Sequence, residues 1–430
     1  MTKNINAVIL AAGKGTRMKS ETPKVLHKIF DKTLLGYVLD AVNETGLIEN
    51  SFVIVGHQAE IVDKYVNKNY NNASTQKTST ILQSPQLGTG HAVSMVCSQL
   101  ENFDGEVLIL CGDTPLITEK TLTDFIEFHK NKNSDLTVMS AIFNDPTNYG
   151  RIIRNGDKLS SIIEEKDASP AQKKIKEVNA GIYLLNWQKI KPAFSQLTSN
   201  NAQGEYYLTD IISWGSKVGL NVNAYILENN EEIFGINSKE HLAQATKMLN
   251  QKTILKHLEN GVTIVDPATT WISVDTEIGS DTIIYPNVFI NGKNKIGNNC
   301  IIGPFAHVRG DVELGDNVKI GNFVEVKKSK IASNTNACHL TYIGDSEIGT
   351  NVNVGAGTIT ANYNHFTKVK SQTIIKDGAS IGSNSVLVAP VEIGVDACIG
   401  AGTIITNNVV DKALAVTRAP MKIIENYVTD

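Results

Sequence analysis

The chain has 430 residues, with 40 Lys and Arg against 44 Asp and Glu and a formal charge of −4. That length allows two domains, and the mildly negative balance argues against a nucleic-acid partner, since basic tracts are short and local (173–176 and 327–330). No apolar run approaches the ~20 residues of a membrane span, the N-terminus lacks a signal-peptide pattern, and five cysteines without C-x-x-C spacing fit a reducing, cytoplasmic setting with no membrane partner.

In the N-terminal half, strands are expected at 6–10, 51–55, 106–110, 136–142, 178–185 and 222–227. Helices are expected at 34–44, 89–100, 118–130 and 207–217. This alternation predicts a mainly parallel sheet covered on both faces. A hairpin over 150–163 turns at Asn155-Gly156. A long helix over 238–258 is capped by Ser238 and ended by Gly261, and it separates this half from the rest.

The first strand runs into Leu10-Ala11-Ala12-Gly13-Lys14-Gly15-Thr16-Arg17-Met18, with Pro23-Lys24 shortly after. Neither a Rossmann fingerprint nor a Walker A loop is complete here. Gly13 and Gly15 still permit close approach of backbone N–H groups to a phosphate chain. Lys14, Arg17 and Lys24 supply cations for that charge. On its own the loop fits a plain strand-to-helix turn equally well. Asp113 ends the strand 106–110 at the same sheet edge, where a metal-binding carboxylate belongs, although Asp after a strand and Gly is also common in turns.

The C-terminal half carries a period of six. Ile278, Ile284, Ile290, Ile296, Ile302, Val308, Leu314, Ile320 and Val326 recur without a gap. Neither a helix nor a lone strand has that period. Three hexads per coil of a triangular prism, aliphatic side chains on the axis, explain it. After two one-residue slips the ladder continues through Ile331, Ala337, Ile343 and through Ile348, Val354, Thr360. Residues 361–372 fall outside it, and it resumes at Ile375, Ile381, Leu387, Ile393, Ile399 and Ile405. Seven coils result, eight if Ile272 belongs. Long excursions from a compact repeat are often functional.

LAAGKGTRM followed by PK resembles the signature of sugar-1-phosphate nucleotidyltransferases. With the hexads behind it, nearly the whole chain is similar to the bifunctional bacterial family that fuses an N-acetylglucosamine-1-phosphate uridyltransferase to a glucosamine-1-phosphate acetyltransferase. The resemblance implies an α/β domain with a Rossmann-like, mixed and mainly parallel sheet over 1–230. It implies a linker helix over 231–260 and a left-handed parallel β-helix with a C-terminal tail over 261–430. It also implies a cytoplasmic homotrimer supplying cell-wall precursor, with Mg²⁺ as cofactor and UTP and acetyl-CoA as substrates.

Carried over by residue, the resemblance implies that Leu10, Ala11, Ala12 and Gly13 contact the nucleotide, with Arg17 and Lys24 on its phosphates. Gln83 would bond uracil, beside Gly88 and Thr89. Asp113 and Asn237 would hold Mg²⁺. Cys111 and Gly112 complete that edge, Cys111 standing where the family usually has Tyr. Gly150, Glu164 and Asn179 would hold the sugar, and the family pattern favours Glu164 over Glu165. In the prism, Arg309, Lys327, Tyr342, Asn353, Ala356, Asn362 and Tyr363 would bind substrate. His339 would be the general base, Glu325 its orienting or relaying partner, and Asn362 an oxyanion donor. Ser383, Ala401 and Arg418 would contact coenzyme A.

An isolated His in a solenoid is by default a surface residue; His339 stands out by its company at coil spacing. The spacings from Arg309 to Lys327 and from His339 to Asn353, each near one coil, place these groups on one face. The stretch 291–304 is shorter than the resemblance implies by about one coil, and the tail after Arg418 is also shorter. A nucleotidyltransferase whose solenoid only oligomerises or regulates is the alternative, and a non-catalytic subunit with the same two folds is a third reading. Arg309, Lys327 and His339 speak against the first, and Arg17, Lys24 and Asp113 against the second.

Overall fold

The computed structural model describes residues 4–71, 77–425 and 427. The chain divides into two compact units after Ala245.

The sheet of the first unit has the strand order Val222–Ile226, Leu136–Ile142, Glu177–Asn186, Glu106–Cys111, Ile5–Leu10, Ile48–Val55, Lys77–Leu82. Every neighbouring pair is parallel except those made by Glu177–Asn186, which runs against both neighbours. The central strands are nearly continuous apolar runs because both faces are covered. Val107 and Ile109 enter one core and Leu108 and Leu110 the other. The hairpin strands Arg151–Asn155 and Lys158–Ile163 attach to Glu177–Asn186.

Three differences from the sequence expectation have physical causes. The helix Ala59–Tyr70 buries only Val62 and Val66, too few apolar positions to mark a period. The strand Lys77–Leu82 is a polar edge strand. The helix expected over 89–100 is regular only for Thr89–Ser94, and turns carry the chain on to residue 102. At Lys239–Glu259 the Ser238 hydroxyl accepts the N–H of His241 at 3.1 Å, and Gly261 follows with φ +85°.

The second unit winds through three parallel sheets of nine, eight and seven strands. Ile272 belongs to the ladder and is fully buried. Coil length is read from the pairing. Ile283 pairs with Ile301 and Ile301 with Lys319, 18 residues apiece. Lys319 pairs with Asn336 and Asn336 with Asn353, 17 apiece, which are the two slips. Asn353 pairs with Ser380, 27 on, because residues 361–372 leave the coil. The inward column from Ile284 to Ile405 is buried throughout, including Ala337 and Thr360. Corners at Asp281, Asn299, Asn317, Asn334 and Asn351 have φ between 55° and 62°, a conformation Asn and Asp tolerate better than other side chains.

Candidate functional site

The register of the first unit brings its two signature segments together. Leu10 lies opposite Cys111, and Gly112 N–H donates to the Leu10 carbonyl at 2.9 Å. The Gly-rich loop and Asp113 therefore leave the sheet side by side. The chain passes from Ile5–Leu10 to strands on one side and then crosses to Glu106–Cys111 on the other, the place where open α/β sheets bind ligands. Gly15 has φ +59°, and a Cβ there would lie 2.7 Å from that of Lys24, so glycine lets Lys24 pass beneath the loop.

The Lys24 ammonium pairs with the Asp113 carboxylate and donates to Asn237 Oδ1 at 3.2 Å. Asn237 is delivered by Ile236, whose N–H bonds the Asp113 carbonyl at 2.9 Å. Two oxygens thus converge on one cation. Among the described residues no group of three His, Cys, Asp or Glu could hold a metal. A single carboxylate with a carboxamide still suits Mg²⁺, which keeps most ligands as water and substrate phosphate. The residues fit that ion.

A cavity of about 940 Å³ opens at this edge, and Leu10, Ala12, Gly13, Arg17, Lys24, Gln83, Gly88, Thr89, Cys111, Asp113 and Glu164 all line it. Ala11 is tied to the sheet through the Ile54 carbonyl. Asn179 bonds Gly150 backbone to backbone at 2.8 Å, while its side chain holds Gly181 N–H and the Tyr183 hydroxyl. Glu165 is held by buried Arg151 at 2.6 Å, whereas Glu164 takes a bond from the Thr209 hydroxyl at 3.3 Å. Burial raises the Glu164 carboxyl above its ordinary range. Burial also pushes the Cys111 thiol up to about 12, so it stays neutral. Sequence reading missed Gln86, which donates to the Ala12 carbonyl at 2.8 Å, and His91, whose ring contacts Gln83 at 3.1 Å.

In the prism the expected residues form two columns. On one sheet Arg309, Lys327 and Gly344 are successive register partners, as are Glu325 and Tyr342. Arg309 grips Glu325 Oε1 through Nε at 2.7 Å and through the guanidinium tip at 2.5 Å. Lys327 is held below its ordinary pKa by burial first, then by Arg309 and Lys370. Lys370, which sequence reading missed, comes from the 361–372 excursion, where it bridges Tyr363. Asn362 is turned in, donating to the Asp345 carboxylate. Three clustered cations suit a phosphate.

On the neighbouring sheet Asn322 pairs with His339. Gly357 N–H bonds the His339 carbonyl at 3.3 Å, Asn384 N–H that of Ala356 at 2.7 Å and Gly402 N–H that of Ser383 at 2.8 Å. His339, Ala356, Ser383 and Ala401 therefore stand on successive coils at one corner. Arg418 is exposed and follows the last strand of this sheet, Leu414–Ala415. Two expectations are corrected. The groups occupy two sheets, not one face. Asn353 is level with Asn336, not with His339, because the coil there is 17 residues long. Glu325 is engaged by Arg309, and the group on His339 Nδ1 is Asn322. A groove of about 610 Å³ on the third sheet, among Glu313, Lys330, Glu347 and Lys376, contains none of the expected residues.

Fold and sites define a two-part transferase: a nucleotidyltransferase unit followed by a hexapeptide-repeat acyltransferase unit, a left-handed parallel β-helix. The nucleotidyl transferase family matches residues 6–253, the bacterial transferase hexapeptide (six repeats) 295–328, and the hexapeptide repeat of succinyl-transferase 372–407. Similar proteins named "Bifunctional protein GlmU" include that of Caldanaerobacter subterraneus subsp. tengcongensis, 43% identical over 99% of this chain and 97% of that one. Those of Geobacillus thermodenitrificans, 42% identical over 98% and 97%, and Streptococcus agalactiae serotype V, 41% identical over 98% and 97%, are further examples. The chain belongs to the bifunctional GlmU family. The first alignment runs 458 positions, more than the chain's own 430 residues, so this chain carries gaps against that relative.

Proposed function

We propose that the chain makes UDP-N-acetylglucosamine in two steps. The β-helix, residues 261–430, transfers the acetyl group of acetyl-CoA to glucosamine-1-phosphate. The α/β domain, residues 1–230, then joins N-acetylglucosamine-1-phosphate to UTP and releases pyrophosphate.

In the acetyl transfer, Arg309, Lys327 and Lys370 bind the sugar phosphate. His339 Nε2 takes the proton as the amine attacks the thioester carbonyl. The C–S bond breaks and coenzyme A leaves along Ala356, Ser383 and Ala401. The two columns lie on different sheets of one prism, which supports a trimer in which a neighbouring copy completes each site. In the uridyl transfer, a phosphate oxygen of the sugar attacks the α-phosphorus in line, with no protein nucleophile. Arg17 and Lys24 neutralise charge, Gln83 reads the base and Glu164 contacts the sugar. Asp113 and Asn237 would hold Mg²⁺, which supplies charge neutralisation at the phosphates. A cytoplasmic location fits these soluble substrates, and no described helix is long and apolar enough to cross a membrane.

The alignment of His339, Ala356, Ser383 and Ala401 carries the reading. Their spacings of 17, 27 and 18 residues match the unequal coil lengths on this sheet. A solenoid used only for assembly requires no such column. The test is a pair of half-reaction assays. His339→Ala is expected to abolish coenzyme A release and leave pyrophosphate release intact, and Asp113→Ala to do the reverse. Normal acetyl transfer by His339→Ala contradicts the assignment.

A further inference from the structure

His339 Nδ1 is hydrogen-bonded to Asn322 Oδ1 at 2.9 Å. An imidazole acts as a base through one nitrogen, and the bond made by the other decides which. A carboxamide oxygen accepts and cannot donate. In this arrangement Nδ1 carries the proton and Nε2 keeps its lone pair. With the carboxamide reversed, its NH₂ would donate to Nδ1 and the proton would sit on Nε2, where it blocks the base.

We propose that Asn322 is the positioning residue of the acetyl-transfer site, fixing the tautomer and ring orientation of His339. The inference rests on the reading of His339 as the base. Asn322 is the next rung below His339 in the same column that carries Ala356, Ser383 and Ala401.

The backbone around the pair is pinned on both sides. Leu340 N–H donates to the Asn322 carbonyl at 3.0 Å. The His339 carbonyl accepts the Thr341 hydroxyl at 2.7 Å and Gly357 N–H at 3.3 Å. A Cβ on Gly321 would collide with the Cys338 carbonyl, so glycine there allows the two coils their close approach. Phe323 and Leu340 turn their coils at the same level, with φ 54° and 50°. Glu325, the other acceptor near this region in sequence, is occupied by Arg309.

The step balances without a further reagent. The nitrogen–carbon bond forms and the carbon–sulfur bond breaks. The amine proton passes to Nε2 and then to the departing sulfur, which leaves as the thiol. While the imidazolium exists, Nδ1–H donates to Asn322 Oδ1 and its charge is partly compensated.

The experiment compares acetyl transfer by the full chain and by Asn322→Ala, Asn322→Asp and His339→Ala across pH, with uridyl transfer measured on the same samples. Asn322→Ala is expected to lower kcat by about tenfold or more, part of the ~10²–10⁴ that a positioned base contributes, with KM little changed. Asn322→Asp keeps the acceptor. It is expected to stay within a few-fold of wild type and to move the acid limb of kcat/KM to higher pH, because a carboxylate stabilises the imidazolium. Normal kcat in Asn322→Ala overturns the proposal, as does an equal loss in both variants at every pH, the mark of a packing role. If Asn322→Ala does not fold, the acid limb of Asn322→Asp decides alone: an unshifted limb overturns the proposal. Acetylation by His339→Ala overturns the underlying reading and this inference with it, whereas an inactive His339→Ala beside a normal Asn322→Ala overturns this inference alone.

Discussion

Lys24 closes on Asp113 and, through the same ammonium, on Asn237 at 3.2 Å. The protein's own cation holds the position proposed for a divalent ion. Lys24→Met removes that cation. Binding of Mn²⁺ to the nucleotide-free protein, followed by calorimetry, is expected to tighten by about tenfold, ~1.4 kcal/mol. Unchanged or weaker binding means that the ammonium does not compete. Uridyl transfer by the same variant should fall, because Lys24 also serves the phosphates.

Gln83 offers the next test. Its Nε2 donates to the Gly88 carbonyl at 2.9 Å and meets His91 Nδ1 at 3.1 Å, which leaves Oε1 to accept from a base. Uracil presents an N–H at N3 and cytosine a lone pair. Gln83→Ala should lower kcat/KM for UTP by about tenfold, near the upper end for one hydrogen bond, and shrink the preference over CTP. An unchanged UTP-to-CTP ratio would remove Gln83 from base selection.

Thr360 links core to site. It occupies an inward position, and its hydroxyl accepts Gly344 N–H at 2.8 Å. Gly344 is the register partner of Lys327. Thr360→Val keeps the shape and strands a buried donor, a cost of about 1–3 kcal/mol. Thermal unfolding of the β-helix should shift downward and KM for the amino-sugar phosphate should rise, with uridyl transfer untouched. An unchanged melting profile contradicts this.

His257 sets an acid limit on the β-helix unit. It is buried, neither ring nitrogen has a partner, and burial pushes its pKa down to about 4. The unfolded chain titrates near 6.5, so between these values the unfolded state holds more protons. The contribution is fully present above pH ~6.5 and is lost as pH falls toward 4, up to about 3 kcal/mol. His257→Leu should flatten the acid side of stability measured by denaturant titration. An identical pH dependence in the variant would place the sensitive group elsewhere.

The hexad ladder was legible because each inward position must be apolar on every coil, so geometry is written as a period. Both register slips and the excursion at 361–372 were readable as breaks in it. Asn322 and Lys370 were not, because their roles come from pairing between coils 17 residues apart and from a loop folding back, neither of which has a local signature. The resemblance pointed to Glu325 as the partner of His339; the alternation along one short strand instead turns it toward Arg309. Asp113 and the Gly-rich loop were readable because both sit at the ends of strongly apolar strands. The helix Ala59–Tyr70, with only two buried side chains, was not.

The most direct test supplies the full chain with glucosamine-1-phosphate, acetyl-CoA, UTP and Mg²⁺ and follows every product by mass. The expected products are UDP-N-acetylglucosamine, pyrophosphate and coenzyme A in equal amounts, with Asp113→Ala stopping at N-acetylglucosamine-1-phosphate. Release of pyrophosphate from added N-acetylglucosamine-1-phosphate without any acetylation of glucosamine-1-phosphate would show that the β-helix is scaffold alone and contradict the account.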